Sequence, residues 1–88
     1  MPPVAEKLAL TPEALEKLAA LGEDIRRTRR MLGISRAKLA ETIGMHPMNY
    51  AKIERGKKNV TFDTLLRIAD GLGVELTITL VAAKAQRG

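Results

Sequence analysis

Residues Ser35 to Gly56 read SRAKLAETIGMHPMNYAKIERG, and this stretch decides the fold. Ser35 is a hydroxyl residue suited to cap a helix. It precedes a short helical pattern that buries Leu39, Ala40 and Ile43 on one face. Gly44 closes that helix at a point where a sharp reversal calls for a positive φ. Pro47 suits the first position of a second helix, because the amide it lacks has no partner there. Tyr50 and Ile53 form the inner face of that helix, and Gly56 ends it. Two short helices joined by about three residues have the spacing of a helix-turn-helix.

The flanking sequence completes a helical bundle. On the N-terminal side, Thr11-Pro12-Glu13 combines a hydroxyl cap, a first-turn proline and an acid. Leu15, Leu18, Leu21 or Gly22, Ile25, Arg29 and Leu32 follow at helical spacing up to Gly33. Gly22 leaves open whether this is one helix or two. On the C-terminal side, Thr61 caps a helix with the expected inner face Phe62, Leu65, Ile68, Ala69 and Leu72. Val60 and Leu65 stand at staple positions around that cap.

Beyond Gly73 the period changes. Glu75 to Val81 alternates apolar and polar residues and is rich in β-branched side chains, which predicts a strand. Leu76, Ile78 and Leu80 would share one face. A lone strand leaves its backbone groups without partners. The expectation is therefore an antiparallel ribbon with the same segment of a second copy, making a homodimer with Leu76, Ile78 and Leu80 at its interface. A fifth helix is the alternative for this segment. The expected organisation is an arm over 1–10, a helix-turn-helix domain over 11–74, a dimerising strand over 75–82 and a tail over 83–88.

Composition narrows the function classes. A chain of 88 residues holds one domain, and one this small often needs reinforcement from outside its own core. It has no cysteine, so disulfides and most zinc sites are excluded. His46 is the lone histidine and has no second ligand at helical spacing, so neither a metal nor a cofactor is expected. Glycine-rich phosphate loops and paired catalytic carboxylates are missing as well, which argues against an enzyme. No apolar run reaches the roughly 18 residues of a membrane span. The first residues lack the pattern of a signal peptide, and a cytoplasmic protein is expected.

Charge points to a partner. The net charge is +5, and ten bases face only four acids between Gly22 and Lys58. A basic block of this kind suits a polyanion, or simply a well-solvated surface. Helix N-termini favour acids, since the backbone dipole is positive there. Glu13 and Glu16, Glu23 and Asp24, and Asp63 fit that rule. The two motif helices break it: Arg36 and Lys38 crowd one start, while His46, Pro47 and Met48 open the other without an acid. A phosphate bound there would turn the repulsion into attraction.

Leu39-Ala40-Glu41, Gly44, Ile53-Glu54-Arg55-Gly56-Lys57, Thr64-Leu65-Leu66-Arg67-Ile68-Ala69 and Leu72-Gly73-Val74 together resemble the Cro/repressor-type (XRE) helix-turn-helix family. The resemblance covers roughly Leu21 to Val74. It implies a mainly α, lambda-repressor-like bundle whose third helix reads the major groove of double-stranded DNA at a palindromic operator. The alternating C-terminal segment resembles HipB-like antitoxins, which implies a kinase-like toxin as a further partner. Arg29 and Glu54 match positions of a buried structural ion pair in the family. Arg36 matches a backbone-contacting helix start. His46, Pro47, Met48, Asn49 and Lys52 match the exposed face of the recognition helix. Lys52 could donate to guanine, Met48 could touch a thymine methyl, and Asn49 could bond adenine or a phosphate. Arg55, Lys57 and Lys58 suit backbone contacts in the following loop. A stand-alone phage- or restriction-type regulator, and a protein-interaction module without specific DNA binding, are the competing readings.

Overall fold

The computed structural model describes residues 10–83 and shows four helices among them: α1 (Pro12–Met31), α2 (Arg36–Thr42), α3 (Pro47–Glu54) and α4 (Phe62–Leu72). The arm assigned to residues 1–10 falls outside this span except for Leu10, as does the tail beyond Ala83. The hydroxyls expected to cap helices do so. Thr11, Ser35 and Thr61 accept from the amides of Ala14, Lys38 and Thr64 at 3.0, 3.0 and 3.1 Å. Each satisfies one amide that the helix itself cannot.

α1 runs through Gly22 without a break. The glycine is there for proximity. A Cβ at this position would sit 2.5 Å from the carbonyl oxygens of both Ile53 and Glu54. The C-terminal end of α3 lies directly on α1, and the missing side chain lets the two backbones approach. Because α1 is continuous, Glu23 and Asp24 do not open a helix. They lie mid-helix and pair with Arg26 and Arg27 at 3.4 and 3.1 Å. The acid-first rule therefore holds for α1 and α4 only, and it fails at both motif helices, whose first turns carry no acid.

The core lies where α1, α2, α3 and α4 converge. Ile25, Leu39, Ala40, Ile43, Tyr50, Ile53, Ile68 and Leu72 are its buried members, with Val60 and Leu65 packed against its edge. Leu39 and Tyr50 have no exposed surface at all. The turn between α2 and α3 reverses at Gly44 with φ +71°, a conformation that L side chains rarely adopt. Three residues expected inside are largely outside: Leu15, Leu32 and Phe62. Leu15 lies near the start of the 20-residue α1, and α3 packs against its later part, where Gly22, Ile25 and Arg29 are buried. Phe62 is the first residue of α4, whose buried positions are Ile68, Ala69 and Leu72.

The alternating segment corrects another expectation. Glu75 to Val81 is neither a strand nor a fifth helix within this chain. A strand needs a ladder partner, and the described residues contain no other strand to provide one. Its apolar side chains also part company. Leu76 is half-buried beside Leu21, Ile25, Leu65 and Leu72, in a groove between α1 and α4. Ile78 and Leu80 point away from the chain's own core, at 61% and 96% exposure.

Candidate nucleic-acid interface

α3 separates two sets of side chains because it is only eight residues long and helical spacing is strict. Tyr50, Ile53 and Glu54 are buried. Met48, Asn49 and Lys52 are exposed, with Met48 at 68%. Pro47 takes the first helical position, and His46 caps the helix. The His46 ring accepts the Met48 amide through Nδ1 at 3.1 Å. Histidine is not a customary cap, and no local pattern points to this contact.

What fixes α3 against the rest of the bundle is one buried carboxylate. The Arg29 guanidinium donates twice to Glu54, from Nε to Oε2 at 2.6 Å and from Nη2 to Oε1 at 3.3 Å. Its third nitrogen, Nη1, donates to the Ile34 carbonyl at 2.7 Å, in the loop leading to α2. The Tyr50 hydroxyl donates to Glu54 Oε2 from the same face of α3. Arg36 Nε, at the start of α2, stands 3.4 Å from Oε1. Glu54 thus joins α1, α2 and α3 through three partner side chains, Arg29, Arg36 and Tyr50. Burial alone would raise its carboxyl pKa. The hydrogen bonds from Arg29 and Tyr50, with the charges of Arg29 and Arg36, outweigh burial and hold it below the usual carboxylate range. The bond to Glu54 raises the Arg29 pKa further against the opposing effect of burial, so the guanidinium stays charged. Burial, reinforced by Glu54, pushes the Tyr50 hydroxyl well up. The hydroxyl therefore remains a proton donor at any pH of interest.

The remaining cations surround this hub. Arg36 is 57% exposed although it leans on Glu54. Arg55, Lys57 and Lys52 are exposed and Lys58 is half-buried. Among the described residues none of these four makes an ion pair within 4.0 Å. The structure therefore gathers Arg36, Arg55 and Lys57 around one groove near α3, while Met48, Asn49 and Lys52 project from the exposed face of the helix. Sequence reasoning missed two contributions to the site. Tyr50 stands four residues before Glu54, a spacing that could have suggested their contact. The Arg36–Glu54 approach depends on how α2 packs against α3, and no local pattern encodes it.

Two adjacent short helices, the second tied to α1 by a buried ion pair, with no acid in either first turn and cations around the second, define a DNA-binding regulator of the helix-turn-helix class. More particularly, the chain belongs to the HTH_3 helix-turn-helix family, whose model it matches over residues 25–78. It is similar to the control protein C.SmaI of Serratia marcescens, with 34% identity over 56 residues, covering 64% of this chain and 67% of that one. It is also similar to the crystal structure of the restriction-modification controller protein C.AhdI from Aeromonas hydrophila. That match has a TM-score of 0.66 at 30% identity and covers 68% of this chain and 91% of the other. The clp gene regulator ClgR from C. glutamicum matches with a TM-score of 0.66 at 29% identity, covering 77% and 83%. The family and these relatives are those of transcription regulators and not of enzymes. None of the described helices is long and apolar enough to cross a membrane.

Proposed function

We propose that the protein is a sequence-specific transcriptional repressor that binds a palindromic operator as a homodimer in the cytoplasm. The observation carrying this reading is the outward face of α3, where Met48, Asn49 and Lys52 are all exposed beside cations that make no ion pair among the described residues. Such a helix fits the major groove, and its surroundings fit phosphates. Arg36, Arg55, Lys57 and Lys58 grip the backbone, and α3 reads the bases. Pro47 cannot donate to a base, so DNA shape contributes part of the specificity. Selection from a random duplex library tests this reading. The expected product is a palindrome with half-sites one helical turn apart; recovery of unrelated sequences contradicts it.

Two substitutions separate reading from gripping. Lys52→Ala should weaken binding to the selected site by about 1–3 kcal/mol and relax specificity at one position. Lys57→Ala should weaken selected and random duplexes alike. Competition titrations with both DNAs distinguish the two. An unchanged preference in Lys52→Ala removes that residue from the reading set.

Dimerisation has support in the apolar C-terminal segment. Ile78 and Leu80 are exposed, and nothing among the described residues covers them. A second copy that buries them gives a small domain the reinforcement it needs. Leu76 contributes from the edge of the groove between α1 and α4. Ile78→Asp should place a charge in that contact and yield a monomer in sedimentation. A dimer that survives the substitution uses another surface.

The restriction-type, stand-alone regulator is the particular form we favour. The antitoxin reading drew on a C-terminal strand, and none forms among the described residues. Two of the relatives are a control protein and a restriction-modification controller protein.

A further inference from the structure

Two adjoining surface grooves lie beside the helix-turn-helix and share the side chains of Arg26 and Arg36. One runs between Arg26 and Arg30 on α1 and the start of α2. The other runs between α1 and the end of α3, reaching Arg55 and Lys57. Neither α1 arginine belongs to the helix-turn-helix itself, yet both open onto the same walls as Arg36.

The charges along these grooves are unequal. Arg26, Arg30, Arg36, Arg55 and Lys57 line them, against the carboxylates of Glu23 and Glu54. Glu54 is already committed to the buried Arg29 through two hydrogen bonds and to Tyr50 through a third. Little of its charge remains for Arg36, which stands 3.4 Å away and is 57% exposed. Glu23 meets Arg26 at 3.4 Å with both side chains half in water, a pair of small worth. Arg30 has no ion pair among the described residues. The result is an open, polar channel with an excess of guanidinium groups.

We propose that Arg26 and Arg30 are phosphate contacts, and that the DNA backbone continues from Arg36 along the groove between α1 and the start of α2. This rests on the DNA-binding reading above and extends it from the motif to the flank of α1. Guanidinium forks match phosphate oxygens in pairs. The open channel offers no enclosed pocket for a small anion. It is continuous with residues assigned to the backbone, and a chain of regularly spaced phosphates can occupy its full length.

The test is the salt dependence of binding to a random duplex, for the wild type and for the double variant Arg26→Ala/Arg30→Ala. Each phosphate contact removed should lower the magnitude of the log–log slope by about 0.9, or about 3.6 for a dimer that loses four. Arg27→Ala is the control, since Arg27 is exposed on the same helix and paired with Asp24 at 3.1 Å; its slope should equal that of the wild type. The lysine pair Arg26→Lys/Arg30→Lys should restore the slope, which a merely structural role would not require. Wild-type binding with an unchanged slope in the alanine pair overturns the proposal and leaves the DNA-binding reading intact. The proposal is also overturned if the slope is unchanged while inorganic phosphate raises the melting temperature of the wild type alone; the groove then holds a free anion. Failure of the wild type to bind any duplex overturns both readings together.

Discussion

Glu54→Ala should lower stability by about 3–5 kcal/mol, the usual consequence of removing one partner from a buried ion pair. Three groups lose their acceptor at once. The Arg29 side chain is 7% exposed and keeps its charge with no counter-charge. Tyr50 is fully buried and keeps a hydroxyl proton with nowhere to donate it. Arg36 loses the carboxylate beside it. In a domain of this size 1 kcal/mol corresponds to roughly 4–8 °C, so the melting temperature should fall by well over 10 °C. Such a loss is a large part of the total stability of a small domain. Glu54→Gln should fall between the two, since it still accepts from Tyr50 but lacks the charge. The same carboxylate gives a pH signature. Its pKa is lowered in the folded state, so its contribution is complete above the usual carboxylate range and is lost as pH falls through the lowered value. Thermal melts across the acid range should show that loss in the wild type and a flatter profile in Glu54→Gln. A variant within 1 kcal/mol of the wild type at neutral pH contradicts the role assigned to the hub.

Gly22→Ala should destabilise the protein although alanine is the better helix former by about 1 kcal/mol. The new methyl would lie 2.5 Å from two carbonyl oxygens and 2.8 Å from the Glu54 carbonyl carbon. These are backbone atoms and cannot swing aside as a side chain would. α1 must lift away from the end of α3, which also stretches the contact between Arg29 and Glu54. Overpacking of this kind costs about 1–3 kcal/mol, enough to exceed the propensity gain. Urea titration measures the balance. Equal or greater stability in Gly22→Ala means that the two backbones are further apart than the structure has them.

The helices and their caps were legible in the sequence because the signals are local. Thr11, Ser35 and Thr61 precede amphipathic runs, and Gly44 stands where the chain must reverse. Gly22 was ambiguous for a physical reason. Its cause is the approach of α3, some thirty residues further along the chain, and no local pattern distinguishes a helix break from a close crossing. The solvent-facing positions of Leu15, Leu32 and Phe62 escaped notice for a similar reason, since periodicity marks an apolar stripe but not how far neighbouring helices extend along it. The segment from Glu75 to Val81 shows the opposite hazard. Alternation and β-branching are real features of it, yet a strand exists only where another strand completes the ladder, and the described residues provide none.

Within the site, the outward residues of α3 follow directly from the helical period once Tyr50 and Ile53 are placed inside. The partnership of Arg29 with Glu54 came from family resemblance, because residues 25 positions apart share no local code. The parts played by Tyr50, Arg36 and the His46 cap needed coordinates. Arg26 and Arg30 enter the sequence reading only as members of the basic block between Gly22 and Lys58; the packing of α1 beside α2 and α3 puts them on the walls of a basic groove.

On the proposed reading, the protein grips DNA through its phosphates and reads it with α3. The most direct measurement is the affinity for a duplex as a function of salt. Arg36, Arg55, Lys57 and Lys58 give eight phosphate contacts in a dimer, so log affinity should fall against log salt with a slope of about −7 or steeper. Binding should weaken by about ten-thousandfold between 50 and 200 mM salt. A flat dependence, or no measurable binding at low salt, contradicts the account and leaves a helix-turn-helix domain whose partner is another protein.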